Sequence, residues 1–263
     1  MRIDQLLVQR GLAASRSQAA RLVAAGVGWR LGAAAPWRNA TKAGDEVPEL
    51  AELQLIDTRE SRYVSRGGLK LEGALLASGV SPVGRLCLDV GQSTGGFTDC
   101  LLQHGAAHVV GVDVGHGQLH PRLHTDPRVT CLEKVNAREL DASLLIANDS
   151  RQISVNGQKF LNFGMVVGDL SFISLTLVLP ALVPLLAADG HLLMLVKPQF
   201  ELQPQDIGKG GLVRDPALYV RVEQRLRDAC AALGLAVVGW HDSPIAGGDG
   251  NREFFIHARN TGA

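Results

Sequence analysis

The sequence predicts an α/β protein: a mostly parallel seven-stranded sheet of Rossmann-like type, preceded by a small α+β domain. Three observations lead there. From residue 86 onward, seven apolar strand candidates alternate with helical patterns, which builds a parallel sheet covered on both faces. The chain has 263 residues, room for one large and one small domain at about 100–200 residues each. Residues 1–42 hold seven basic side chains against one acid, while residues 43–57 hold five acids and no base, an asymmetry the whole-chain sum hides.

Taken in order, Leu6, Leu7 and Leu12 sit near a turn signal at Gly11. Ser15-Arg16-Ser17-Gln18 reads as a helix start, with Ser15 as cap and Gln18 bonding back. That helix runs through Ala19, Ala20, Leu22 and Val23 and stops near Gly26. Arg16 and Arg21 fall off its apolar stripe and are expected free to meet phosphate. The Gly-rich stretch 27–47 is expected to hold small strands, and 48–64 reads as a linker. A helical pattern over 67–76 carries Lys70 and Glu72. The strand candidates are Leu86–Val90, His108–Asp113, Val129–Leu132, Met165–Asp169, His191–Lys197, Leu235–Trp240 and Glu253–Ala258. Helices are expected over Phe97–His104, Ser174–Leu186 and Ala217–Leu233. Between 145 and 163, the residues Asn148, Asp149, Ser150, Asn156, Gly157 and Asn162 mark a polar surface excursion.

Apolar residues make up 46% of the chain, enough for a packed core. No apolar run reaches the ~18–20 residues of a membrane span. The start, Met1-Arg2-Ile3-Asp4-Gln5, has an early acid and no signal-peptide core, so a cytoplasmic protein is expected. Cys87, Cys100, Cys131 and Cys230 form no C-x-x-C pair and read as buried small hydrophobes. Net charge is zero, yet residues 1–42 hold Arg2, Arg10, Arg16, Arg21, Arg30, Arg38 and Lys42 against the single acid Asp4. Charge alone admits a polyanion-binding surface and a solvated basic helix equally.

The first strand, Leu86–Val90, runs into Gly91-Gln92-Ser93-Thr94-Gly95-Gly96-Phe97-Thr98. Such a turn lets a ligand approach the backbone. It lacks the dinucleotide G-x-G-x-x-G spacing and the Lys-Ser/Thr of a phosphate loop. The second strand ends in Asp113, an acid placed to accept ribose hydroxyls. Together these suit a nucleoside cofactor without a phosphate signature, for which S-adenosylmethionine fits better than NAD. Asp169, Lys197 and Glu253 stand at strand ends and Lys70 on the preceding helix. In an open α/β sheet the carboxyl ends of the strands line one crevice; each charged group taken singly also reads as a structural ion pair.

At this point the sequence resembles a known family. Tyr63-Val64-Ser65-Arg66-Gly67-Gly68-Leu69-Lys70-Leu71, Ser93-Thr94-Gly95-Gly96-Phe97-Thr98-Asp99, Asp113-Val114-Gly115-His116-Gly117-Gln118-Leu119, Asp126-Pro127-Arg128-Val129, Leu170-Ser171-Phe172-Ile173-Ser174-Leu175, Val196-Lys197-Pro198-Gln199-Phe200-Glu201, Gly208-Lys209-Gly210-Gly211 and Gly250-Asn251-Arg252-Glu253-Phe254 all look like the TlyA family. That family carries an old haemolysin label and is understood as rRNA 2′-O-methyltransferases. The resemblance implies an S-four-type RNA-binding domain over 1–58, a linker over 59–66, and an FtsJ-like methyltransferase domain over 67–263. It implies a catalytic tetrad of Lys70, Asp169, Lys197 and Glu253. It implies S-adenosylmethionine contacts at Asp89, Gly91, Ser93, Thr94, Gly95, Gly96, Phe97 and Asp113, with Asn136 near the adenine. It places RNA contacts at Arg16, Ser17 and Arg21. The implied substrate is ribosomal RNA or a ribosomal subunit, with cytidine ribose as acceptor, and neither metal nor membrane is required. After Gly26 the chain departs from the family, replacing a Val-Asn-Gly turn with Gly28-Trp29-Arg30-Leu31-Gly32-Ala33. The polar loop over 145–163 is also longer than the family pattern.

Methyl transfer from a sulfonium is an in-line displacement, so alignment supplies much of the rate. Lys197 is the candidate to accept the 2′-hydroxyl proton or steer the hydroxyl. A neutral lysine would need desolvation and a nearby cation such as Lys70; Asp169 would orient Lys197, and Glu253 would position Lys70 or the ribose. Competing expectations are a non-catalytic ribosome-binding factor and a membrane-active haemolysin. Base methylation at a ring nitrogen often uses an Asn-Pro-Pro-Tyr-type motif, and here Asp169 is followed by Leu170-Ser171-Phe172.

Overall fold

The computed structural model describes residues 1–57, 62–147, 154–155, 158–159 and 162–261. The chain forms two compact units, Met1–Leu69 and Lys70–Ala263.

In the first unit, α1 spans Ile3–Gln9 and α2 spans Arg16–Gly26. Strands β1 (Val27–Arg30), β2 (Arg38–Asn39) and β3 (Glu52–Leu55) form an antiparallel sheet in the order β2-β1-β3. Ile3, Leu6 and Leu7 pack with Ala19, Leu22, Val23 and Val27 into a core of their own. Ser15 Oγ accepts the Gln18 N–H at 3.2 Å, the expected cap. The Gln18 side chain reaches back to the Ala14 N–H at 2.6 Å, one residue before the bond of a capping box. One element was not expected and one expectation changes. α1 is a helix of only seven residues, too short for its apolar spacing to register as a period. β3 lies inside the stretch read as a linker. Its Leu53 and Leu55 pair in register with Trp29 and Val27 and pack on the core, while Glu52 and Gln54 are exposed. Two inward residues between two polar ones are too little alternation to read as a strand.

Helix α3 (Gly67–Ser78) follows, carrying Lys70 as expected. The second unit continues with β4 (Leu86–Val90), α4 (Gly96–Gln103), β5 (His108–Asp113), α5 (Pro121–His124), β6 (Val129–Glu133) and α6 (Ala142–Ala147). β7 (Ser154–Val155) and β8 (Gln158–Lys159) form a two-stranded antiparallel pair within the expected surface excursion; Asn148, Asp149, Ser150, Asn156 and Gly157 lie outside the described residues. Then come β9 (Phe163–Gly168), α7 (Leu179–Leu182), β10 (Leu186–Val196), α8 (Pro198–Glu201), α9 (Pro216–Ala232), β11 (Leu235–Asp242) and β12 (Phe254–Asn260). The continuous helix expected over Ser174–Leu186 is instead a 3-10 turn at Leu175–Leu177, the single turn α7, and a second 3-10 turn at Val183–Leu185. Pro180 and Pro184 remove backbone donors and clash with the preceding turn, so no long helix propagates through them.

Seven strands form one sheet in the order β11-β12-β10-β9-β4-β5-β6. β10, β9, β4, β5 and β6 run parallel, and β12 is antiparallel to both its neighbours. The chain winds outward from β4 through β5 and β6, then returns to β9 on the other side. The crevice beyond the carboxyl ends of β4 and β9 is therefore the topological switch point, where such sheets bind ligands. Every residue of β4 is buried, because helices cover both faces. Leu88, Val110, Val166 and Met194 from adjacent strands meet Leu179, Leu182 and Leu226 in the main core. Each such side chain contributes ~1.5–3 kcal/mol by leaving water, which holds the strand ends rigidly in place.

Candidate functional site

Four charged residues meet at that carboxyl edge. Asp169 follows β9 and Lys197 follows β10. Glu253 precedes β12, and because β12 runs antiparallel, its start lies beside the end of β10: Val196 pairs in register with Phe254. Lys70 comes from α3. Lys197 Nζ lies 2.6 Å from Asp169 Oδ1, and Lys70 Nζ lies 2.6 Å from Glu253 Oε2 and 3.8 Å from Asp169 Oδ2. These are close ion pairs; the carboxylate oxygens Asp169 Oδ1 and Glu253 Oε2 do not also complete well-angled hydrogen bonds. Lys197 Nζ also donates to Ser171 Oγ at 2.7 Å. Two ammonium groups thus face two carboxylates in a nearly dry cluster, with the Glu253 side chain 2% exposed. Burial pushes the Glu253 carboxyl above the usual range, while Lys70 pulls it back. Such buried charges persist only when paired.

The loops bearing Asp169 and Lys197 are stapled together by Glu201. Its buried carboxylate accepts the Leu175 N–H at 2.7 Å and the Ser174 hydroxyl at 2.5 Å. Phe172 stands between them, 91% exposed and in the left-handed region at φ 64°, with its ring tilted against Phe200 at 5.1 Å. A bulky residue held there marks backbone strain kept for function.

The glycine loop begins where β4 ends. Gly91 has φ 82°, and a Cβ there would meet the Asp169 carbonyl oxygen at 2.9 Å. Only glycine lets the loop pass this close to β9. Asp89, buried in β4, accepts from Thr98 Oγ at 2.7 Å through Oδ2. Its Oδ1 and the Gln92 Oε1 are buried and unpartnered. Burial pushes the Asp89 carboxyl up to about 7, against the Thr98 hydrogen bond that lowers it. Asp113 at the tip of β5 accepts the Ser93 N–H at 2.8 Å and the Gly115 N–H at 2.7 Å, so the second strand's acid pins the loop after the first. Thr94 O accepts the His120 N–H at 3.2 Å. Gly95 is the left-handed cap of α4, and Gly96 is its first residue. The Phe97 ring is buried and stacks on Phe255, so it shapes the loop from beneath. Asn136 caps the short turn after β6, accepting from the Arg138 N–H at 3.1 Å. The neighbouring Val135 N–H donates to Asp113 O at 2.9 Å, which keeps Asn136 close to the acid.

Sequence reasoning did not single out Ser171, Gln92, Thr98 or Glu201. All four stand inside quoted stretches, but nothing in a one-dimensional pattern shows that a serine two residues after Asp169 reaches Lys197.

In the first unit, Arg16, Ser17 and Arg21 lie on the first turns of α2, all partly or fully open to solvent. Arg21 Nη1 donates to Ser17 O at 3.1 Å. The expectation of a free Arg16 is corrected: its guanidinium bonds the buried Asp4 at 3.0 Å, although its side chain is 58% exposed. Arg2 grips the same carboxylate with two 3.0 Å bonds. The Arg2 hydrogen bond foremost, with Arg16 adding to it, holds Asp4 down at about 2 against its burial.

Known proteins resemble this chain over most of its length. The FtsJ-like methyltransferase family model matches residues 63–260. The 16S/23S rRNA (cytidine-2′-O)-methyltransferase TlyA of Mycobacterium tuberculosis is 44% identical over 98% of this chain and 89% of its own length. Hemolysin A of Brachyspira hyodysenteriae is 34% identical over 98% of this chain and 99% of its own. A solved structure from Streptococcus thermophilus that carries a hemolysin label superposes with a TM-score of 0.73 at 37% identity, covering 99% of this chain and 88% of that one.

Proposed function

The chain belongs to the FtsJ-like methyltransferase family, and on that premise we propose that it transfers a methyl group from S-adenosylmethionine to a ribose 2′-hydroxyl of ribosomal RNA, with cytidine as the acceptor nucleoside. The observation that carries this reading is the Lys70–Asp169–Lys197–Glu253 cluster at the switch point of the sheet, directly beside the glycine loop. The named relative from Mycobacterium tuberculosis acts on cytidine 2′-oxygens of 16S and 23S rRNA, and the same chemistry is assigned here.

The residues present fit the cofactor. The backbone of Gly91, Ser93, Thr94, Gly95, Gly96 and Phe97 lines the loop that would hold it, and a side chain at Gly91 would close the gap between that loop and Asp169. Asp113 has lone pairs beyond the two backbone bonds it accepts, enough to receive ribose hydroxyls. Asn136 would stand near the base, and the unpartnered Asp89 Oδ1 and Gln92 Oε1 mark polar ground beneath the loop. When bound, the cofactor supplies an electrophilic methyl group on a positively charged sulfur.

Alignment of the acceptor falls to the tetrad. Lys197, held as an ammonium against Asp169, donates to the 2′-oxygen and fixes its direction of approach. That oxygen becomes strongly acidic only as its bond to the methyl carbon forms and the carbon–sulfur bond breaks, so its proton leaves late: it passes to Lys197 Nζ as Lys197 gives one of its own protons to the Asp169 carboxylate, which ends as the proton's holder. Lys70 is turned toward Glu253 and keeps the second carboxylate from disturbing Asp169. Phe172, exposed beside Ser171, offers the extruded acceptor base a stacking surface. Arg16, Ser17 and Arg21 on the first unit supply phosphate contacts to a ribosomal subunit, the substrate we assign, in the cytoplasm. Among the described residues no helix is long and apolar enough to cross a membrane. The reading is tested by assaying methyl incorporation into purified ribosomal subunits and identifying the modified nucleoside by mass spectrometry.

A further inference from the structure

The outer face of the β2-β1-β3 sheet carries an aromatic–guanidinium layer. Alternation along the strands turns Val27, Trp29, Leu53 and Leu55 toward the core. It turns Gly28, Arg30 and Gln54 outward, where Trp37 joins them. The Trp37 ring lies against Gly28 so closely that a Cβ there would stand 3.3 Å from the indole; the missing side chain lets the ring rest on the strand. Trp37 is nevertheless 41% exposed. The Arg30 guanidinium sits 4.6 Å from the ring centroid. It is fixed there by two bonds to Glu52 Oε2, at 2.8 and 2.6 Å, and one to Ala33 O at 3.0 Å. Glu52 offsets the charge of Arg30, so this guanidinium serves as a held flat surface more than as a free cation. Arg38, the next residue after Trp37, is exposed and leans on Trp29 on the opposite side.

Resting on the reading that the substrate is RNA, we propose that this face stacks an unpaired nucleobase of that RNA on the Trp37–Arg30 layer. Charge complementarity selects the partner: the unit Met1–Leu69 carries ten basic and seven acidic side chains, a net positive charge that attracts a polyanion. Flat aromatic and guanidinium surfaces are what unstacked bases pair with, largely without regard to sequence. The indole lies beside polar Gln54 and Arg30, with exposed Ile56 just past the end of β3; so small an apolar area suits a base better than the broad apolar centre of a protein interface. The stacking platform is a second surface, separate from Arg16 and Arg21 on α2.

The test compares two labelled probes, oligocytidine and the same strand with abasic sites in place of bases, by fluorescence anisotropy on the full chain. Trp37→Ala should weaken oligocytidine binding about tenfold or more and leave the abasic strand unchanged. Trp37→Phe should keep most of the affinity, yet lose the quenching of tryptophan emission that oligocytidine causes in the wild type. Equal affinity of Trp37→Ala and wild type for oligocytidine would overturn the proposal, as would equal losses on both strands in a variant with wild-type circular dichroism. Methyl transfer to ribosomal subunits is measured on the same preparations. A wild type that binds through Trp37 but transfers no methyl group sinks the functional reading and leaves this inference standing.

Discussion

Lys197 Nζ lies 2.6 Å from Asp169 Oδ1, an ion pair made across the ends of two adjacent parallel strands. Both residues leave the sheet at the switch point, and the core beneath them fixes their spacing. Removing Lys197 should therefore remove transition-state alignment and little else. Lys197→Ala is expected to lower kcat by at least about a hundredfold, the scale of a positioned proton-handling group, with cofactor affinity within about threefold of wild type. Single-turnover rates alongside calorimetry check this. Ser171→Ala, which removes a supporting bond, should cost less.

The glycine loop and Asp113 should govern the cofactor alone. Asp113→Ala is expected to weaken S-adenosylmethionine binding by about tenfold or more, since it removes hydrogen bonds from a charged acceptor worth ~1.5–3 kcal/mol. It also releases Ser93 and Gly115. Gly91→Ala should weaken binding too, because its Cβ crowds the Asp169 carbonyl at a φ that alanine resists. Calorimetry on folded variants reads both; unchanged affinity in both would remove the assignment.

Stability should vary with pH through Asp89. Burial raises this carboxyl to about 7 in the folded state, against ~3.9 when unfolded. Between those values the folded chain keeps a proton that the unfolded chain has released. Stability of the cofactor-free protein should accordingly fall as pH rises from about 4 to 7. Asp89→Asn cannot titrate, so its denaturation midpoint should show a shallower decline over that window. Parallel curves for the two proteins would show that Asp89 is ionised at neutral pH.

RNA affinity should depend steeply on salt through the first unit. Arg21→Glu is expected to weaken ribosomal-subunit binding and to flatten the dependence of log affinity on log salt, by about one unit for each phosphate no longer neutralised. Arg16→Glu should do more damage, and less cleanly, because it also places a like charge beside the buried Asp4. A salt titration of both variants separates the two effects.

Much of this was legible in the chain. The strand starts and ends from Leu86 to Asp113 read directly, because both faces are buried and the apolar runs are unbroken. Glu253 was legible as a strand-end charge, but its place beside the Lys197 end of β10 depends on β12 running antiparallel, which no local pattern announces. Its place in the tetrad came from family resemblance. The Ser174–Leu186 segment misled because its apolar spacing is helical while Pro180 and Pro184 break it. Arg16 misled because its partner, Asp4, lies on another helix. β3 was hidden by its brevity, and Ser171 by the fact that its hydrogen bond spans two loops far apart in sequence.

The most direct measurement is transfer of labelled methyl groups from S-adenosylmethionine to ribosomal subunits that lack the modification, followed by nucleoside mass spectrometry. The account predicts label in 2′-O-methylcytidine with the wild type and none with Lys197→Ala. Label in a base-methylated nucleoside, or transfer that survives Lys197→Ala at the wild-type rate, would contradict it.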